Sequence, residues 1–141
     1  MSVTAHQRPW VGWSISGIAV IHLLTAAAFY GPSLKSIWAG GVINAVEADP
    51  GSQLLRSVGF WYLASCLAML SLGLVVTWLQ RRLCEVPTML GWLLLGITVF
   101  GVVLMPASAF WVFLVPAALT FLQARQFTRD RAADSVSASR R

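Results

Sequence analysis

One histidine of this chain lies where an ionisable group is expensive. His22 falls inside the 26 residues from Pro9 to Leu34, a stretch without Asp, Glu, Lys or Arg. An imidazole titrates near neutral pH and can accept, donate or relay a proton. Deep in an apolar helix it marks either a functional group or a neutral ring hydrogen-bonded to a neighbouring helix. Thr25 shares its helical face, as does Ser14 two turns earlier. A second polar set follows outside that stretch: Asn44, Glu47, Asp49 and Arg56. Asn44 and Glu47 are three residues apart, so on a helix they share a face. Turned inward, that face brings an amide and a carboxylate towards the imidazole, a set able to perform acid–base chemistry on a lipophilic substrate. His22, Glu47 and Asn44 are therefore the candidate catalytic residues. The plainer alternative is a solvated loop with scattered charges.

Aromatic residues add a candidate binding set. Phe60-Trp61-Tyr62 and Phe110-Trp111 are expected at the outer mouth, beneath the segment carrying Trp38. Trp38, Asp49, Arg56, Trp61, Tyr62 and Trp111 are the expected contacts of a hydrophobic ligand. A membrane-interface belt accounts for Trp61 and Trp111 equally well, and Asp49 before Pro50 suits a turn. Cys66 and Cys84 form no CxxC pair and are expected on unlike sides, so no disulfide follows. No phosphate-cradling glycine loop, nucleophile elbow or metal-ligand spacing occurs. Neither a metal nor a cofactor is expected.

The elements that hold these residues follow from composition. Of 141 residues, 57% are apolar and 11% charged, against about 25% charged in soluble domains. Besides Pro9–Leu34, Ser57–Gln80 and Val86–Ala124 carry no charge. A soluble domain of this size cannot hide three such runs, whereas a bilayer accepts about 20 apolar residues per crossing. The spacing predicts an all-α fold, a four-transmembrane-helix bundle with spans at 10–30, 58–79, 89–105 and 108–123. The apolar part of the first span is longer than a cleaved signal peptide's. Gly31-Pro32 is expected to end it. Leu34, Ile37 and Trp38 then recur at helical spacing, which predicts a short amphipathic outer segment between helices 1 and 2. Pro106 is read as a hairpin turn. Pro116 is expected to kink the fourth span, its freed carbonyl satisfied by a neighbouring helix. Glycines 91, 96 and 101 are read as allowing close helix approach. Residues 1–124 make the membrane domain, and 125–141 read as a basic disordered tail.

Charge sets the orientation. With both termini cytoplasmic, Arg8, Arg81, Arg82 and the five tail arginines lie inside, and only Lys35 and Arg56 outside. The positive-inside rule favours that arrangement. All seven tryptophans then fall at expected interfaces. The net charge of +5 is thereby assigned to orientation and anionic headgroups rather than nucleic acid. Membrane lipids are the expected partners, with a hydrophobic small molecule as ligand or substrate and self-association open. The expected location is a bacterial inner membrane.

Trp10-x-Gly12, His22, Gly31-Pro32, Gly41-x-x-Asn44, Asp49-Pro50, Phe60-Trp61, Leu90-Gly91-Trp92 and the run from Gly101 to Trp111 resemble a bacterial family of small four-span integral membrane proteins of unknown function. The resemblance covers about Trp10 to Leu122. Ala109 stands where that pattern favours glycine. It implies the four-span architecture and assigns no residue a role. Three functions remain in view: a membrane protein without enzymatic activity that binds a lipophilic molecule under residues 31–56; an isomerase- or cyclase-type enzyme acting on an isoprenoid- or sterol-like substrate through His22 and Glu47; and a transporter subunit relaying protons at His22.

Overall fold

The computed structural model describes residues 9–83 and 86–139. The expectations for Arg8, Cys84 and the last two tail arginines lie outside them. The described residues form four α-helices and no strand: α1 Trp10–Ala39, α2 Gln53–Leu83, α3 Thr88–Leu104 and α4 Leu114–Ser139, with a 3-10 turn at Ala109–Phe113. Trp10–Ala39, Gln53–Leu83 and Ala109–Arg129 are each long and apolar enough to cross a bilayer, and α3 is a shorter apolar helix of 17 residues. Only 17% of the most apolar window of α2 is buried within the chain. An exposed apolar surface of that extent suits an apolar solvent.

The chain divides into two compact units. One is residues 16–71; the other combines residues 1–15 with 72–141.

In the unit of residues 16–71, Gly31-Pro32 bends α1 instead of ending it. Tyr30 leaves helical geometry (φ −119°, ψ 17°), and helix resumes through Pro32 to Ala39. Pro32 then stands in the first turn of a new segment, where a helix has no use for its missing N–H. The amphipathic turns expected after residue 31 thus continue α1. They end at Gly40-Gly41, where the Gly41 N–H reaches the Trp38 carbonyl and the Val42 N–H that of Ile37. Gly41 has φ +86°, and this pairing is the Schellman stop that favours glycine at that position. Val42 (φ +65°) and Asn44 (φ +57°) are left-handed too. Asparagine tolerates this, but a β-branched valine is strained. Further on, α1 and α2 approach closely: a Cβ on Gly59 would stand 2.7 Å from that of Ser33.

In the other unit, the start of α1 meets the end of α2. A Cβ on Gly12 would lie 2.5 Å from the Thr77 amide nitrogen. Gly12 also owns one of the N–H groups that a helix start leaves without a partner. The buried Gln80 carboxamide supplies that partner: Gly12 N donates to Gln80 Oε1 at 2.9 Å, and Gln80 Nε2 donates to Gln123 Oε1 at 2.8 Å. On α3 the buried residues are Gly91, Leu94, Thr98 and Gly101, one helical stripe. Gly91 faces the Phe121 ring and Gly101 the Phe110 ring, whereas Gly96 meets open space. These pairs make α3 antiparallel to the chain from Phe110 onward. The turn between them is the one expected at Pro106, closed by Ser108 N–H to Met105 O at 3.0 Å.

Pro116 does not kink α4. It sits buried in the helix's first turn, and just ahead of it the Leu114 N–H is shared by the Trp111 and Val112 carbonyls. Those carbonyls are satisfied inside the 3-10 turn rather than by a neighbouring helix. Beyond Ala124, where composition argued for a disordered tail, α4 continues as helix to Ser139.

Gly12→Leu is expected to lose about 1–3 kcal/mol through overlap with the Thr77 backbone. Gln80→Leu is expected to lose about 1–2 kcal/mol, and Gln123→Leu less, because only the first strands the Gly12 N–H. Unfolding of each variant by dodecyl sulfate in mixed micelles, followed by helical circular dichroism, measures the order.

Candidate functional site

Within the unit of residues 16–71, His22 faces α2. Its ring stacks on that of Tyr62, with centroids 5.9 Å apart and planes 20° from parallel. Tyr62 stands 4.2 Å from the Tyr30 ring on its other contact. Three rings therefore line the α1–α2 contact: Tyr30, Tyr62 and His22. Thr25, expected beside His22, joins them.

The hydroxyl groups close a small network. Thr25 Oγ1 donates to the His22 carbonyl at 2.8 Å, and Tyr62 Oη donates to the same carbonyl at 3.1 Å. The two hydroxyls lie 2.9 Å apart. Three contacts share two protons, so the phenol is held from two sides. This network ends at the His22 backbone. The half-buried imidazole has a stacked neighbour, but no hydrogen bond to it occurs among the described residues. A neutral imidazole carries one donor and one acceptor, and both remain available to a ligand.

Asn44 and Glu47 are placed elsewhere. Arg56 Nε donates to Ser36 Oγ at 2.9 Å and Arg56 Nη1 to the Ala45 carbonyl at 2.7 Å. This ties the turn of residues 40–48 to the level of Ser36, 14 residues or about 21 Å along α1 from His22. Asn44 and Glu47 are exposed there, and no hydrogen bond joins either side chain to His22 among the described residues.

The expected ligand-binding residues divide likewise. Tyr62 stands in the cluster. Arg56 is committed to Ser36 and Ala45. Asp49 forms its turn, accepting from Gly51 N at 3.0 Å and from the Ser52 hydroxyl at 2.6 Å. Trp38 and Trp61 present most of their surface outward, at 79% and 70% exposure. Trp111 belongs to the other unit, where its indole N–H donates to the Pro106 carbonyl at 3.0 Å. Sequence reasoning missed Tyr30 as a member of the cluster. The available signal was its helical spacing of eight from His22, obscured by the expectation that the helix ended beside it.

An all-α chain with three helices fit to cross a membrane, and one polar aromatic cluster between two of them, defines the class. A family model matches residues 6–127, and the chain belongs to DUF6463, a family of unknown function. No curated protein and no solved structure matches the chain.

Two outcomes follow from the segment of residues 40–56. Hydrogen bonds from Ser52, first, and Gly51 hold the Asp49 carboxyl below its ordinary value. A carboxyl lowered by folding contributes fully above its unfolded value, about 4, and the contribution is lost as pH falls through the folded one. The Gly51 amide proton shift is expected to stay constant above pH of about 4 and to move below it, and to be flat in Asp49→Asn. Arg56→Leu is expected to raise protease cleavage within residues 40–48 severalfold while α1 and α2 keep their helicity.

Proposed function

We propose that this protein is a polytopic membrane protein of a bacterial plasma membrane that binds a lipophilic small molecule. It crosses four times, with both termini cytoplasmic. α3 rises about 25 Å, a few ångströms short of the hydrocarbon core, a mismatch that local thinning of the bilayer absorbs. Its antiparallel register against Phe110 and Phe121 supports its sharing their depth. The distribution of arginine supports the orientation.

The binding reading rests on one observation: a half-buried imidazole, stacked on the Tyr62 ring, whose nitrogens no described residue occupies. Exposed Ile21, Leu24 and Phe29 flank it along α1. A flat, apolar molecule with one carbonyl or hydroxyl suits that setting. Its ring would extend the aromatic row, and its oxygen would meet the imidazole. The acid–base alternative on an isoprenoid- or sterol-like substrate has no such support, because Glu47 is held at the level of Ser36.

A decyl-substituted quinone titrated into the purified protein in mild detergent serves as probe. Saturable quenching of tyrosine and tryptophan emission is expected, with His22→Ala weakening binding about tenfold, the worth of one hydrogen bond of about 1.4 kcal/mol. Glu47→Gln is expected to bind as the native chain does. Equal binding by His22→Ala would remove His22 from the site.

A further inference from the structure

The Gln80–Gln123 bond also fixes which residues share a level at one end of the second unit. Trp78 lies two residues before Gln80. Trp13 follows Gly12, whose N–H Gln80 receives. Trp92 follows Gly91, which faces Phe121, two residues before Gln123. α2, α3 and the start of α1 thus carry indoles within about one turn of the same amide layer. Trp13, Trp78 and Trp92 are 45%, 59% and 65% exposed, and the Trp10 ring stands edge-on to Trp13 at 5.7 Å. Just outside this layer come arginines. Arg81 and Arg82 end α2, and Arg125 and Arg129 lie one turn apart on α4. All four are exposed. Arg82 stands 5.8 Å from the centre of the Trp78 ring. Among the described residues no carboxylate pairs with any of the four.

We propose that the last turn of α2 and the adjoining stretch of α4 bind the phosphate of an anionic phospholipid, through Arg81, Arg82, Arg125 and Arg129. The inference rests on the membrane reading above and not on the His22 site. An indole layer places the arginines at headgroup depth. Guanidinium groups recognise phosphate in a fork. Two pairs from two helices, levelled by one hydrogen bond, stand next to exposed Leu74, Trp78 and Leu122, an apolar flank that suits acyl chains. A nucleic acid or acidic protein meets the same charge but makes no use of the indoles and that flank.

The test reconstitutes the full chain in phosphatidylcholine nanodiscs containing a trace of pyrene-labelled phosphatidylglycerol or pyrene-labelled phosphatidylcholine, and reads energy transfer from tryptophan. Excess transfer to the anionic probe is expected, abolished by unlabelled phosphatidylglycerol and unaffected by inorganic phosphate. Each arginine near an anionic surface contributes about fivefold. Arg81→Gln/Arg82→Gln, which leaves the tail arginines to hold the orientation, should therefore cut the preference by more than tenfold. Lysines at the same two positions should keep most of it. Equal transfer to both probes, an unchanged preference in the glutamine pair, or displacement by inorganic phosphate would each overturn the lipid site. Release of the native chain from membranes by alkaline carbonate would remove the membrane reading itself, and the lipid site with it.

Discussion

A polar atom within an apolar helical layer must find its partner inside the chain, since lipid offers none. Nearly every local choice in this structure answers that constraint. Ser14, Thr25, Ser65, Ser71, Thr77, Thr98 and Thr120 each donate to a carbonyl three or four residues earlier in their own helix. The first free N–H groups of a helix cannot be served that way, so α1 begins where Gln80 can reach it. Ser16 is the exception, a buried hydroxyl without a partner among the described residues. The two glutamines bring no net charge into the layer. They link α1, α2 and α4 while leaving the arginines outside it.

The same constraint decides where the chain turns. Three of the described breaks in helix are closed largely by local hydrogen bonds. Gly40-Gly41 closes α1 through its own carbonyls, Asp49 folds the approach to α2, and Ser108 caps the 3-10 turn before α4. Both helix-internal prolines fall in first turns, where no hydrogen bond is forfeited. Close approach is then set by glycine: Gly12 and Gly59 let α2 press on α1, and Gly91 and Gly101 admit phenylalanine rings against α3.

Much of this architecture was legible beforehand. Uncharged runs located the helices, because a bilayer leaves few other uses for such lengths. The turn at Pro106 and the role of Asp49 followed from local chemistry that tertiary contacts did not override. Helix ends were harder. Pro32 and Pro116 both read as breaks or kinks, yet the outcome depended on whether a new first turn began beside them, which residue type alone does not say. The helix beyond Ala124 contradicts what its polar composition suggested. In the candidate site, His22 was marked by its setting, and Thr25 by its helical spacing. Its partner was not. Spacing can place Asn44 and Glu47 on a common face but cannot know that Arg56 anchors their turn far along α1. Tyr62 emerged as the neighbour only through the pairing of two helices.

α4 runs unbroken from the apolar layer into the polar stretch ending at Ser139. A rod that crosses such a boundary is a lever. From Ala124 the outer arm is about 22 Å long, so a tilt of about ten degrees in the apolar part swings its tip by about 4 Å. In a bilayer, a change in thickness, which helices meet by tilting, would thus become sideways travel of the polar arm. A flexible tail would dissipate the same motion within a residue or two.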